Sequence, residues 1–205
     1  SPGAKLEHGA LRVERDAEPL PFDELVRWLD THGRALLEGD ELSVLRDRAD
    51  ACRARRLAGL RLALPGPTGE DNSLRFVPRG LIAGVAGSAA GYLHQLLAAL
   101  ASGNRIVFGD DPLARRVLSS LPDGIRSRAR LDARWFEAAF GALLFDGADA
   151  DADAWQARLA ARPGPIVPLL RPTPDYDHGR LVHERSVSIN TAAAGGNASL
   201  MAMGA

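Results

Sequence analysis

Cys52 is the single cysteine in 205 residues, so the chain holds one thiol and no internal disulfide. Covalent catalysis at a carbonyl carbon needs such a thiol activated in a cleft, beside donors for the developing oxyanion. Cys52 instead falls on the apolar side of an amphipathic helix, where a buried thiol is inert. Gly84, Gly87 and Gly91 follow an apolar run and open a helix, the right context for holding a phosphate. Their spacing is G-x-x-G-x-x-x-G, whereas a dinucleotide fingerprint reads G-x-G-x-x-G. Where an acid should follow to meet a ribose stand Asp110 and Asp111, which already serve as a helix start. Asp146, Asp149, Asp151 and Asp153 are spaced like a calcium loop but lack its glycine and its terminal glutamate; Asp151 or Asp153 caps the next helix instead. His8, His32, His94, His178 and His183 show no close metal-ligand spacing, and His94 reads as a packed or surface histidine. No catalytic, cofactor-binding or metal constellation emerges from these residues.

The elements around them change period at residue 59. Before it, Phe22, Leu25, Val26, Leu29 and Leu36, then Leu42, Leu45, Ala49 and Cys52, recur at helical steps, and Gly39-Asp40 separates the two helices. The arginine-rich stretch up to Arg56 interleaves Asp47 and Asp50 and reads as a solvated helix face. After residue 59, Leu60, Leu62 and Leu64 alternate, Pro65 to Asn72 form a turn, and Leu74 and Phe76 alternate again, which predicts a hairpin with an eight-residue loop. Residues 80–87, 105–109, 141–145 and 165–170 predict buried strands. Between them lie a helix capped by Ser88 and closed by Gly103, one started by Asp111-Pro112, and one around Trp155 and Leu159. Strands alternating with helices imply an α/β class with a Rossmann-like parallel sheet.

Composition sets bounds. Forty-six per cent apolar and 25% charged residues suit a globular domain with a real core. A net charge of −1 argues against a surface that tracks nucleic-acid phosphates. All the basic residues but Lys5 are arginine, which reads as the mark of a GC-rich genome. No apolar run approaches a membrane span and no signal peptide is visible, so the expected location is cytoplasmic.

The C-terminal stretch is the most unusual. Val187 and Ile189 alternate with Ser186 and Ser188 as a strand; then the chain turns into Ala192, Ala193, Ala194, Gly195, Gly196 and Ala198 before ending in Leu200, Met201 and Met203. A run without bulk has little to bury, and its glycines lose the most backbone entropy on ordering. On composition alone, a frayed end and a backbone threading a tight slot in a partner surface are equal readings. Asn190-Thr-Ala-Ala-Ala-Gly-Gly-Asn-Ala-Ser-Leu-Met201 resembles the motif that ends the longer proline utilization A proteins. Residues 180–189, Gly164 to Pro168 and the turn from Leu64 to Glu70 are similar to that family as well. The resemblance spans about residue 60 to the end.

That family's members are bifunctional, oxidising proline to glutamate through a flavin-dependent proline dehydrogenase and an NAD-dependent semialdehyde dehydrogenase. The resemblance implies that this chain, which opens Ser1-Pro-Gly without methionine, is the further C-terminal domain of a longer enzyme, aldehyde-dehydrogenase-like in fold and lacking catalytic residues. FAD and NAD would then be held by other domains of the parent. The expected organisation is a helical segment over 1–58, a Rossmann-like domain with a β-flap over 59–189, and a tail over 190–205, the hairpin at 60–77 pairing in the flap with the strand at 180–189. The tail would cover the aldehyde site of the neighbouring semialdehyde dehydrogenase domain, in the same polypeptide or its dimer mate, and help close a tunnel for the intermediate. Asn190, Thr191, Ala192, Gly195, Gly196, Asn197, Ser199, Leu200 and Met201 would make the contacts. Two alternatives stand beside this: a free NAD-binding dehydrogenase domain using Gly84 to Gly91, and a dimerisation module pairing through the flap edge.

Overall fold

Two separate sheets account for the change of period. The computed structural model describes residues 13–15 and 20–190. In chain order the elements are β1 (Val13–Arg15), α1 (Leu20–His32), α2 (Glu41–Arg55), β2 (Leu60–Leu64), β3 (Glu70–Pro78), β4 (Leu81–Ala86), α3 (Ala89–Ala101) and β5 (Arg105–Phe108). Then follow α4 (Pro112–Ser120), α5 (Asp123–Arg126), β6 (Ala129–Leu131), β7 (Leu143–Asp146), α6 (Asp149–Ala160), β8 (Leu169–Leu170) and β9 (Val182–Asn190). Among the described residues no helix is long and apolar enough to cross a membrane.

The described residues form two compact units, one made of residues 13–15, 59–76 and 184–190, the other of 20–58 and 77–183. The first carries a four-stranded sheet in the order β1-β2-β3-β9. The hairpin of residues 60–77 and the strand reaching Ile189 thus share one ladder, as the sequence predicts for a flap. β2 and β3 are antiparallel with Leu64 opposite Asn72. The hairpin loop is therefore shorter than the expected Pro65–Asn72: the strand resumes at Glu70, because Gly69 takes φ +93°, which lets the chain reverse early. β1, which the sequence reading did not anticipate, adds to β2 with Val13 opposite Leu62.

The second unit holds a parallel five-stranded sheet in the order β6-β5-β4-β7-β8. Ser88 accepts a hydrogen bond from the Gly91 amide and caps α3, while Asp111 accepts from the Leu113 and Ala114 amides and caps α4, with Pro112 at the first helical position. Gly103, at φ +73°, ends α3. Two expectations need correction. Asp151 and Asp153 lie inside α6, whose N-cap is Ala148 without a side-chain bond; Asp149 and Asp151 favour its first turn through the helix dipole instead. The strand expected over 165–170 narrows to Leu169–Leu170, because Pro165 and Pro168 have no N–H for a ladder and Pro168 contributes only its carbonyl, to the Leu143 amide.

Every residue of α3 from Gly91 to Ala101 is buried. A helix can be buried all round only if layers cover both sides. The sheet covers one side of α3, and α1, α2 and α4 pack on the rest, so Phe22, Leu25, Trp28, Leu29, Leu45 and Cys52 join one core with Leu93, Leu96, Leu97 and Leu100. Each such leucine contributes about 1.5–3 kcal/mol of burial. The opposite face of the sheet has its own cluster, in which α6 and the turn at Trp135–Glu137 place Trp155, Trp135 and Phe136 over Ala83, Val107 and Leu143.

Candidate functional site

In an open parallel sheet the ligand crevice lies at the carboxyl ends of the strands where the strand order reverses. Here the chain moves from β4 outward to β5 and β6, then returns to β7 and β8, so the reversal falls between β4 and β7, with Ala86 opposite Asp146. A crevice of about 330 Å³ opens there between Ala86, Gly87, Asp146, Asp151, Trp155 and Arg158. The Arg158 guanidinium lies over the Trp155 ring, 4.1 Å from its centroid, and its positive face is spent on that stack.

Two of the three glycines have a packing job at this edge. A β-carbon on Gly84 would come within 2.4 Å of both Gln95 Oε1 and Phe108 Cε1, side chains that fill the space beneath β4. On Gly91 it would meet Asp146 Oδ2 at 2.7 Å and Ala86 Cβ at 2.9 Å, so Gly91 allows α3 to press onto the strand while the Asp146 carboxylate lies against the first turn. Gly87 faces open space. Gly84→Ala is expected to destabilise the chain by about 1–3 kcal/mol in urea unfolding through overpacking, whereas Gly87→Ala stays within about 0.5 kcal/mol. Equal effects at the two positions would contradict this packing role. Asp111 is also committed: besides its two amides it accepts the Tyr92 hydroxyl at 2.7 Å.

A second polar constellation is buried in the core. His94 and Gln95 are the polar pair in the otherwise apolar α3, and both are fully buried. His94 is thus a core residue, with no surface role. Its Nδ1 accepts from Arg48 and its Nε2 donates to Asp175 Oδ1 at 2.7 Å, which fixes the neutral tautomer. Burial holds the His94 imidazole below its ordinary pKa; the Asp175 hydrogen bond opposes this, and the Arg48 charge adds to it. Burial alone would raise the Asp175 carboxyl, but contacts from His178 and His94 outweigh it and hold the group below the usual carboxylate range. His178 Nε2 stands 3.8 Å from Asp175 Oδ2, at ion-pair rather than hydrogen-bond range. Cys52 Sγ is 4.0 Å from the same oxygen. Burial, then the Asp175 charge, push the Cys52 thiol far above its ordinary range, which leaves it protonated and unreactive. Gln95 Nε2 donates to Val85 O at 2.7 Å and Leu144 O at 3.2 Å, tying β4 to β7 from below.

The expectation of a fully solvated arginine face on α2 therefore needs correction: Arg48 turns inward to His94, and Arg56 is only 4% exposed. The sequence reading also missed Asp175 and His178. The available signal was the polar His94-Gln95 pair inside an apolar helix, which demands buried partners from elsewhere in the chain. Of the expected contact residues, Asn190 is the exposed last residue of β9; Thr191, Ala192, Gly195, Gly196, Asn197, Ser199, Leu200 and Met201 lie outside the described residues.

No family model matches the chain. Among curated proteins it is 40% identical over 152 residues to the bifunctional protein PutA of Escherichia coli, covering 72% of this chain and 12% of that protein. It is 37% identical over 197 residues to PutA of Rhizobium meliloti, covering 91% of this chain and 15% of that protein. Among solved structures, a variant of Bradyrhizobium japonicum proline utilization A matches with TM-score 0.59 and 28% identity over 74% of this chain and 19% of that one. An NAD-dependent benzaldehyde dehydrogenase from Corynebacterium glutamicum, at TM-score 0.52 and 16% identity over 74% of this chain, shares the fold alone. The chain thus spans about an eighth to a seventh of the length of the curated relatives it matches. With 36–40% identity to several of them along most of its own length, the chain belongs to the proline utilization A family, as a domain-sized segment of the bifunctional protein.

Proposed function

We propose that the chain is the non-catalytic C-terminal domain of a bifunctional enzyme that converts proline to glutamate. In this reading residues 1–58 form an N-terminal segment that carries β1 and the helices α1 and α2, 59–189 an aldehyde-dehydrogenase-like α/β domain with its flap, and 190–205 a tail. The tail, starting where β9 ends at Asn190, covers the active site of the neighbouring semialdehyde dehydrogenase domain and seals the passage through which the intermediate travels. FAD and NAD serve the other domains of that enzyme.

The observation that carries the non-catalytic half of this reading is the reversal point of the sheet. A dinucleotide does not fit it. The space beside Gly84 is filled by Gln95 and Phe108, and the place an incoming phosphate would take at the start of α3 is faced by the Asp146 carboxylate. Two like charges about 4 Å apart cost about 4 kcal/mol near a protein surface, enough to cancel what a helix N-terminus offers. Cys52, the sole thiol, is fully buried and cannot meet an aldehyde. Calorimetric titration of the 205-residue chain with NAD is therefore expected to give no saturable heat at millimolar cofactor. Tight binding lost on Gly91→Ala would establish the rival reading of an NAD-binding domain.

The lid rests on the tail's composition and on its resemblance to the family's terminal motif. An intermediate passing between two active sites must be kept from bulk water, and a closing segment does this by excluding solvent. Small residues at Ala192, Gly195 and Gly196 let the backbone approach a partner closely, Thr191, Asn197 and Ser199 add hydrogen bonds, and Leu200 and Met201 anchor the end. Removing residues 191–205 from the whole enzyme tests it.

A further inference from the structure

We propose that Cys52, Asp175 and His178 form a structural site for one divalent cation of borderline softness, zinc above others, inside the core of the helical and parallel-sheet unit. The three side chains each present a ligand atom, and those atoms lie within 4.8 Å of one another with all three residues buried. His178 supplies the independent sign of a missing partner: its side chain is 3% exposed, and neither ring nitrogen has a hydrogen-bond partner among the described residues. Burying an imidazole with both nitrogens unmatched carries a cost that native cores avoid.

The Asp175 carboxylate is divided in the way a ligating carboxylate is. Its Oδ1 is held by His94 Nε2 at 2.7 Å and by the Tyr176 amide at 2.9 Å. Its Oδ2 faces Cys52 Sγ at 4.0 Å and His178 Nε2 at 3.8 Å. Tetrahedral zinc with ordinary bond lengths places sulfur and oxygen about 3.5 Å apart and nitrogen and oxygen about 3.3 Å apart. A contraction of about half an ångström at each of these two pairs, with the Cys52 and His178 ligand atoms, which lie within 4.8 Å, closing to about 3.6 Å, completes the site. Arg48, by donating to His94 Nδ1, makes His94 the donor that orients the carboxylate, as residues behind metal ligands do. Arg55 Nη1 also lies 3.9 Å from Oδ2, but that side chain is 57% exposed and can swing to water.

Charge balances. Binding replaces the thiol proton, so that Cys52–SH and M²⁺ give a Cys52 thiolate–metal bond and a released proton; the thiolate and the Asp175 carboxylate then neutralise the cation, and His178 ligates as a neutral ring. Three protein ligands leave a fourth position for water. Sulfur, imidazole and carboxylate together favour zinc over the hard cations magnesium and calcium, which take oxygen ligands.

The test is to unfold the 205-residue chain in urea with a chelator, refold it with Zn²⁺ or Co²⁺, desalt it and measure bound metal. One metal ion per chain is expected, with a thiolate-to-cobalt charge-transfer band for Co²⁺. Cys52→Ser and His178→Gln are expected to weaken binding by roughly 100-fold or more and to remove that band, and His94→Gln by about 10–100-fold, while exposed His183→Gln changes nothing. His178→Gln loses no hydrogen bond seen here but does lose the contact with Asp175, so the metal-free variant should still unfold cooperatively, at a somewhat lower urea midpoint, which separates loss of the site from loss of the fold. Refolded chain without metal, or metal retained equally by Cys52→Ser, would overturn the proposal and leave His178 paired with Asp175 alone.

Discussion

Asp175→Ala is expected to cost about 3–5 kcal/mol of stability in urea unfolding, the largest loss of any single polar substitution in the chain. The reason is what it leaves behind rather than what it removes. Asp175 is the shared acceptor for the buried His94 Nε2–H and the Tyr176 amide, and its charge faces Arg55, with Arg48 one contact further on beyond His94. Without it, two buried donors lose their acceptor, each at about 1–3 kcal/mol, and positive charge loses its counterpart. Asp175→Asn keeps an acceptor of nearly the same shape at Oδ1 and should cost clearly less. His94→Leu with Asp175→Leu removes both polar partners together, and should be milder than the sum of the single losses. A loss below about 1 kcal/mol for Asp175→Ala would mean that water reaches the cluster and satisfies its groups. The measurement should be made in a chelator, so that metal binding does not add to the difference.

Much of this architecture is legible locally. Ser88, Gly103 and Asp111-Pro112 are terminal signals that act through a few neighbouring backbone groups: Ser88 and Asp111-Pro112 start their helices and Gly103 ends α3. The apolar run at Leu81–Ala86 names a strand buried on both faces. The failures have a common cause. Asp151 and Asp153 look like caps because an N-cap is a residue type, yet the chain entered α6 earlier, at a non-bonding Ala148. Arg48 looks solvated because a helix wheel shows one helix, and the partner that draws it inward, His94, is on another. Asp175 and His178 lie far along the chain from His94 and Cys52, and only the packing of α2 on α3 reveals the cluster. The role of the first helices is hidden for the same reason: their stripe predicts an apolar partner without saying that α3 is that partner. At the switch point, spacing alone speaks against a dinucleotide fingerprint; that the Asp146 carboxylate lies against the first turn of α3 is visible only in three dimensions.

Removing residues 191–205 from the whole bifunctional enzyme is expected to lower semialdehyde oxidation by about tenfold or more, a loss of about 1.4 kcal/mol in transition-state stabilisation, with proline oxidation unchanged. The asymmetry follows from what a lid does. A segment that closes one active site contributes only to steps taken there, by excluding water and completing the site's walls. The flavin site, whose chemistry precedes the intermediate's departure, is indifferent to it. Passage of the intermediate should suffer with oxidation: NADH formed from proline should show a lag, as semialdehyde escapes and must accumulate in solution before it is used. In the 205-residue chain alone the same deletion should move the melting temperature by no more than about 2–4 °C, the shift that 1 kcal/mol produces in a domain of this size. From Thr191 to Ser199 the tail offers almost only small side chains, so its own burial has little to stabilise; Leu200 and Met201 gain only when a partner surface covers them. Leu200→Asp with Met201→Asp should reproduce the deletion, because a charged end cannot enter an apolar slot, and Asn190→Ala should have a smaller effect. Full coupled activity without the tail, and no lag in NADH, would reduce the motif to a structural strap.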